Sequence, residues 1–93
     1  MSLQLPTKAY VSAQVLFQQL DGEYILLNLD NENYYSLDSV GSRAWELLAQ
    51  SSDLEQVVST LLAEYKVDEA TLRADLASLF DDMVQAGLIT VEP

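Results

Sequence analysis

NYYSLDSVGSRAWELL, residues 33–48, is the stretch in which a strand pattern gives way to a helix pattern. Residues 33–37 carry two adjacent tyrosines between polar residues, which is typical of a short strand. Apolar side chains then recur every three or four residues and indicate an amphipathic helix over 39–50. Asp38 or Ser39 is its N-cap, because both side chains accept backbone N–H bonds. Three classes of protein fit this junction: a DNA-binding winged helix, a carrier protein and a peptide-binding module.

Two strands are predicted before this stretch. An alternation of apolar and polar residues starts at Val11 and indicates an extended segment. Asp21-Gly22 stands between two apolar runs and predicts a two-residue hairpin turn, because both residues tolerate positive φ. The return strand covers 24–29, and a polar turn leads from it into 33–37. The simplest arrangement of these three strands is an antiparallel meander.

Two further helices are predicted towards the C-terminus. The sequence Ser52-Asp53-Leu54-Glu55 has the spacing of a capping box, with its first residue as the N-cap of the second helix. Asp68 is a suitable N-cap for a third helix over about 69–86. Gly87 stands where a left-handed C-cap is expected, and 88–91 is a short extended tail.

The order of these elements predicts the class of fold. Strands that precede helices, and do not alternate with them, indicate an α+β protein. We expect a winged-helix-like domain in which a three-stranded antiparallel sheet is followed by three helices. A chain of 93 residues supports one modest hydrophobic core. Residues 1–10 are expected to be an irregular N-terminal arm, and residues 11–91 the single folded domain.

Composition and charge exclude several classes of function. The chain has 15 acidic and 4 basic residues, a net charge of −11, and neither Cys nor His. Nucleic acids and anionic membranes are bound by clustered cations, so neither is an expected partner. Because the commonest metal ligands and general bases are missing, we expect no catalytic residues, no metal and no cofactor. The sequence has no membrane-spanning run and no signal peptide, which predicts a cytoplasmic protein.

Two alternative functions rest on single motifs. Asp38-Ser39-Val40 at a helix start is similar to the site of acyl or peptidyl carrier proteins, in which Ser39 would carry a phosphopantetheine group. A carrier has a long helix before its serine, whereas residues 33–37 have a strand pattern, so helix capping explains the motif better. The short link 66–68 suits a helix-turn-helix, but the third helix is acidic, with Arg73 as its one cation.

The strand over 33–37 is expected to be an exposed edge. It is the last strand of the meander, so one side is free unless the C-terminal tail pairs with it. It contains neither Pro nor Lys, the residues that commonly blunt an edge. Its unpaired N–H and C=O groups could accept a peptide as an added strand. The return strand is apolar on both faces, so the tail or a partner must cover the second face of the sheet.

Several features occur in an order that is similar to a known family. They are Leu20 to Leu29 around the Asp-Gly turn, Tyr34-Tyr35-Ser36-Leu37, Gly41 to Leu48 with its Trp, and Ala86-Gly87-Leu88-Ile89. Over roughly residues 13–90 this order resembles PqqD-like proteins. The resemblance implies a compact winged-helix-like domain that recognises the leader segment of a ribosomally made precursor peptide and presents the peptide to a modifying enzyme.

The resemblance also implies a binding site. In this family the leader adds to the third strand and packs against the third helix. Carried onto this chain, that implicates Asn33, Tyr34, Tyr35, Ser36 and Leu37 on the strand. Helical geometry adds Arg73, Leu76, Ala77 and Phe80 on the third helix.

Two kinds of enzyme partner follow from the resemblance. The Tyr-Tyr strand, the Trp and the Ala-Gly-Leu-Ile ending are most similar to the free-standing leader-binding proteins of lasso-peptide clusters, where a cysteine protease removes the leader. The alternative is the member of the pyrroloquinoline quinone pathway, which works with a radical enzyme that uses an iron–sulfur cluster. The protein is expected to be a monomer or a weak dimer.

Overall fold

The computed structural model describes residues 5–92, which form five strands and three helices. In chain order these are β1 (Lys8–Val11), β2 (Val15–Leu20), β3 (Glu23–Asn28), β4 (Asn33–Ser36), α1 (Ser39–Gln50), α2 (Leu54–Glu64), α3 (Glu69–Gln85) and β5 (Ile89–Glu92). The predicted α+β fold, with a three-stranded antiparallel sheet followed by three helices, is confirmed.

The main sheet is the predicted antiparallel meander, in the order β2-β3-β4. Its first turn is the expected two-residue hairpin, since Leu20 pairs with Glu23 across Asp21 and Gly22. Both turn residues have positive φ, 54° and 83°, as a type I′ turn requires. The second turn also contains a left-handed residue, Glu32, with φ 59°. Turn chemistry therefore fixes the register of both hairpins.

A second sheet, made of β1 and β5, corrects two expectations. Lys8–Val11 pairs antiparallel with Ile89–Glu92, so residues 8–10 are part of the fold and not an irregular arm. Residues 1–4 of the expected arm lie outside the described residues. The strand predicted to continue from Val11 is also wrong, because the chain turns at residues 12–14. The Ser12 hydroxyl accepts the Gln14 N–H at 3.2 Å, a local bond that competes with the strand ladder.

Helix caps follow the sequence, with one exception. Asp38 and Asp68 accept backbone N–H groups in the first turns of α1 and α3, as predicted. The N-cap of α2 is Asp53 and not Ser52, because the Asp53 carboxylate accepts the Glu55 N–H at 3.0 Å. Gly87 ends α3 with φ 73°, in the left-handed conformation that its position predicted.

The helices pack on one face of the main sheet. The largest fully buried side chains are Trp45 of α1, Phe80 of α3 and Leu26 of β3. Because strand residues alternate between faces, the neighbours of Leu26 on β3, Ile25 and Leu27, point to the opposite face. No helix within residues 5–92 combines the length and apolar character needed to cross a membrane. The core thus lies on one side of the sheet, and β4 lies at its edge.

Candidate functional site

β4 is an edge strand whose outer side is free in the part of the chain that the structure describes. It pairs only with β3 in the main sheet, while the C-terminal tail pairs with β1. The expected free edge is therefore present. A free edge offers a row of backbone donors and acceptors for a further strand.

The register shows which backbone groups face outwards. Leu37 N–H donates to the Tyr24 carbonyl at 3.0 Å, which makes this pair a hydrogen-bonded one. In an antiparallel ladder such pairs alternate with pairs whose N–H and C=O groups turn away. Tyr35 pairs with Leu26 and therefore faces β3. The outward groups of β4 are consequently those of Tyr34 and Ser36, one donor and one acceptor each.

The two ends of β4 lie towards different parts of α3, so the strand and the helix run in opposite directions. At one end, the Asn28 side-chain amide donates to the Ala86 carbonyl at 2.8 Å, and Asn28 pairs with the first residue of β4. At the other end, a Cβ placed on Gly41 would lie 3.7 Å from the Leu79 side chain. The start of β4 is thus near the end of α3, and the end of β4 is near the middle of that helix.

A cavity of about 490 Å³ opens where β4 ends. It lies between the first turn of α1, the link from α2 to α3, and the first half of α3. Apolar side chains line most of it, and two carboxylates and one ammonium group stand among them. The lining residues are Asp38, Val40, Gly41, Tyr65, Lys66, Val67, Leu72, Asp75, Leu76 and Leu79. Its size and apolar lining suit an apolar side chain of a bound segment.

The predicted residues of α3 occupy two different positions. Leu76 lines the cavity, whereas Ala77 and Phe80 are buried in the core and support the helix from beneath. Arg73 lies on the far flank, because it is about 200° around the helix from Asp75. The Arg73 guanidinium donates to both oxygens of the Glu55 carboxylate of α2, at 2.8 Å each. The structure brings Leu76 close to the end of β4 and does not bring Arg73 there.

Sequence reasoning missed two groups that line this side of α3. Asp75 and Leu79 both line the cavity and are one helical turn apart. Their positions follow from the rotation of α3 about its axis, which only packing sets. Leu79 follows Leu72 and Leu76 at helical spacing, so this apolar periodicity was the available signal.

Ser42 of α1 is a second group that sequence reasoning missed. Its side chain is 2% exposed. Its hydroxyl accepts the Tyr24 N–H at 2.8 Å and donates to the Leu37 carbonyl at 3.1 Å. A regular ladder would join these two backbone groups directly, so the hydroxyl bridges the sheet where β4 leaves it. The signal was a small polar residue beside the apolar stripe of α1.

Charged contacts hold α1 against β3 and α2. Arg43 donates to both carboxylate oxygens of Glu64, at 2.8 and 2.6 Å, and also bonds Glu46. The hydrogen bonds from Arg43 lower the pKa of Glu64. Burial and a 3.2 Å bond to Glu46 raise the pKa of Tyr24. Both pKa values move away from neutrality, the reverse of the tuning that acid–base catalysis at neutral pH needs.

Two other features bear on the alternatives. Within residues 5–92, no group of three or more Asp and Glu side chains is arranged so that it could hold a metal ion. Ser39, the residue that a carrier protein would modify, is the exposed first residue of α1 and comes three residues after the last residue of β4. The helix that precedes the serine of a carrier protein is replaced here by β4.

Comparisons with known proteins give the family. The model of coenzyme PQQ synthesis protein D (PqqD) matches residues 23–89. The structure of TbiB1 in complex with the TbiA(beta) leader peptide is similar, with a TM-score of 0.83 and 35% identity over 86% of this chain and 93% of that chain. Lasso peptide synthetase B1 complexed with the leader peptide shares the fold, with a TM-score of 0.80 and 19% identity over 89% of this chain and 98% of that chain. No curated protein sequence matches. Because the family model covers well over half of its residues, this chain belongs to the PqqD family.

Proposed function

We propose that this chain is a non-catalytic adaptor that binds the leader segment of a ribosomally synthesised precursor peptide in the cytoplasm. The leader adds as a strand to β4 and is delivered to a modifying enzyme or a leader protease. One observation carries the proposal: Tyr34 and Ser36 turn unpaired N–H and C=O groups outwards beside an apolar cavity. The similar protein TbiB1, which binds a leader peptide, supports it.

The cavity favours β4 over the other edge of the sheet. β2 is also an edge strand, so strand order alone does not select the binding side. The cavity begins with Asp38, two residues after β4 ends, and continues along α3. A strand added to β4 would therefore have α3 beside it and a place for a side chain. Backbone pairing would set the register, and the cavity would supply selectivity.

The predicted site residues take different roles in this proposal. Tyr34 and Ser36 pair with the peptide backbone, and Asn33, Tyr35 and Leu37 hold β4 on β3. On α3, Leu76 contacts the peptide together with Asp75 and Leu79. The remaining predicted residues do not contact the peptide and act indirectly, by fixing the position of α3. They are Arg73, Ala77 and Phe80.

The charge of the site favours a peptide without clustered acids. Asp38 and Asp75 line the cavity, and Asp82 is exposed one further turn along the same flank of α3. Lys66 is the one cation at the cavity. The net charge of −11 adds a long-range field of the same sign. Leaders with Lys or Arg near the apolar anchor should bind faster at low salt than acidic ones.

The enzyme that receives the peptide is part of the proposal. The resemblance of its sequence to the free-standing leader-binding proteins of lasso-peptide clusters favours a lasso-peptide pathway, in which a cysteine protease removes the leader. The alternative is the pyrroloquinoline quinone pathway, with a radical enzyme. Gene neighbourhood separates the two, because the open reading frames beside this chain should encode either a protease or a radical enzyme together with a short precursor.

The test is a titration with the leader of the precursor encoded beside this chain. Ser36→Pro removes an outward N–H and places a ring where the peptide would lie, whereas Ser36→Ala keeps the N–H. Proline is tolerated on a free edge, so the variant should fold. Loss of one hydrogen bond costs about 1 kcal/mol, and the ring adds a clash, so affinity should fall roughly tenfold or more.

The controls make the result specific. Ser36→Ala should bind within about twofold of the wild type, because a surface change of this kind has little effect on the backbone. Backbone amides of 33–37 should shift in the NMR spectrum on titration. Equal affinity of Ser36→Pro and the wild type, or shifts confined to β2, would contradict strand addition at β4.

A further inference from the structure

Two buried polar residues lie at the two ends of β4. In the part of the chain that the structure describes, the buried polar residues are Asn28, 3% exposed, and Ser42, 2% exposed. Ser42 bridges the sheet where β4 ends. Asn28 is the last residue of β3 and pairs with Asn33, the first residue of β4. Because a buried polar group is costly unless its hydrogen bonds are made, the contacts of Asn28 indicate what it does.

The Asn28 side chain connects the end of α3 with the turn before β4. Its amide nitrogen Nδ2 donates to the carbonyl of Ala86, the C-cap of α3, at 2.8 Å. Its oxygen Oδ1 accepts the Asp30 N–H at 2.9 Å within the turn that leads into β4. One side chain therefore fixes the last turn of α3 and the start of β4 relative to each other.

This connection has no polar substitute nearby. Within residues 5–92, the Asn28–Ala86 bond is the one hydrogen bond between the main sheet and the end of α3. Gly87, the next residue, has φ 73°, and a Cβ placed on it would lie 2.9 Å from Asn28 Nδ2. The absence of a side chain at Gly87 thus leaves the amide the space in which it reaches the Ala86 carbonyl.

We infer that Asn28 is a positioning residue of the leader site, which sets the gap between the start of β4 and the end of α3 before a leader binds. The inference rests on the proposed function. A strand added to β4 lies about 4.8 Å from it and has to fit beside α3, so the gap must match the width of one strand. The fraction of free molecules that hold the gap at this width scales the apparent affinity for the leader.

Asn28→Asp tests the connection with the least change of shape. The carboxylate still accepts the Asp30 N–H but has no donor for the Ala86 carbonyl. Asn31→Asp is the matched control, because it adds the same charge in the same turn, where the Asn31 side chain accepts the Asn33 N–H at 3.0 Å. Asn28→Ser is a second variant without the added charge: its hydroxyl can accept the Asp30 N–H but is too short to reach Ala86.

Leader affinity is measured with the leader of the precursor encoded beside this chain, at a temperature at which circular dichroism shows every variant folded. Asn28→Asp and Asn28→Ser should bind it roughly fivefold or more weakly than the wild type, because one hydrogen bond no longer favours the competent arrangement. Asn31→Asp should bind within about twofold of the wild type. Val58→Ala should do the same, although it destabilises the core from α2, where Val58 is 1% exposed.

The gap itself is measured by electron paramagnetic resonance. The chain has no Cys, so spin labels attach only to cysteines introduced at Asp30 and Gln85, two exposed residues on the two sides of the gap. In the wild-type background we expect one narrow distribution of label distances, with or without leader. Asn28→Asp should broaden the distribution in the free protein, and saturating leader should narrow it again.

Three results would overturn the inference. The first is equal leader affinity of Asn28→Asp and Asn31→Asp. The second is an equal loss of affinity in Val58→Ala, because affinity would then follow stability and not the gap. The third is an unchanged distance distribution in free Asn28→Asp. Failure of the wild type to bind leader would instead refute the proposed function, and the label distances of the free protein would still decide whether Asn28 sets the gap.

Discussion

Replacing Ser42 by alanine removes the hydroxyl that bridges the sheet at the end of β4. The Tyr24 N–H loses its acceptor and the Leu37 carbonyl loses its donor. Each hydrogen bond contributes about 1 kcal/mol net, and a buried group left without a partner costs about 1–3 kcal/mol. We therefore expect the free energy of unfolding to fall by about 2 kcal/mol. For a domain of this size that corresponds to a decrease in Tm of roughly 10 °C.

Urea denaturation measures this loss directly. Trp45, the single Trp of the chain, is fully buried, so its fluorescence should report unfolding of the core. The matched control is Ser39→Ala, the same substitution on the same helix at an exposed position. Asp38 provides the N-cap, so Ser39→Ala should change stability by less than about 0.5 kcal/mol.

Ser42→Ala should also loosen the edge strand itself. Without the bridge, the Leu37 N–H bond to Tyr24 is the one remaining backbone hydrogen bond of this pair. Amide exchange in residues 33–37 should become faster in Ser42→Ala, and leader affinity should fall with it. Equal stability of Ser42→Ala and Ser39→Ala would refute the argument. It would mean that Tyr24 and Leu37 close into a direct ladder pair when the hydroxyl is removed.

Two other outcomes are expected. Asn28→Ala removes the 2.8 Å hydrogen bond to the Ala86 carbonyl and the side-chain oxygen that accepts the Asp30 N–H in the second turn. The free energy of unfolding, measured by urea denaturation, should fall by about 2 kcal/mol. The pKa of Glu64 in the folded protein lies below its ordinary value of 4.5, so below about pH 4.5 the unfolded chain binds more protons than the folded one. The Tm measured in thermal melts should therefore fall as the pH drops below about 4.5. Arg43→Gln should flatten that dependence, and an unchanged slope would show that the ion pair contributes nothing.

Local signals in the sequence predicted most of the fold. The Asp-Gly turn, the Asp38 and Asp68 caps and the Gly87 C-cap all depend on neighbours within four residues, so a linear pattern records them. The same is true of the edge, because the strand at 33–37 is the last of a meander formed by short turns. These signals fix the order of the elements and their ends.

The sequence pattern could not predict contacts between residues that are far apart in the chain. The pairing of β1 with β5 joins segments about eighty residues apart in the chain, and no local propensity encodes it. The apolar alternation through residues 11–18 hid a break, because the Ser12 turn and a strand share that pattern. The position of Arg73, on the flank of α3 next to α2, depends on how the helix is rotated in the core.

The sequence by itself determined an acidic α+β domain with a free strand over 33–37, because hydrophobic period, turn residues and charge are properties of neighbouring residues. The tertiary structure decided which groups of that strand face outwards, since the ladder alternates from the Tyr24–Leu37 pair. It also decided that a cavity adjoins the strand and that the opposite face of the sheet is bare. Both depend on the packing of α1 and α3, which joins residues far apart in the chain.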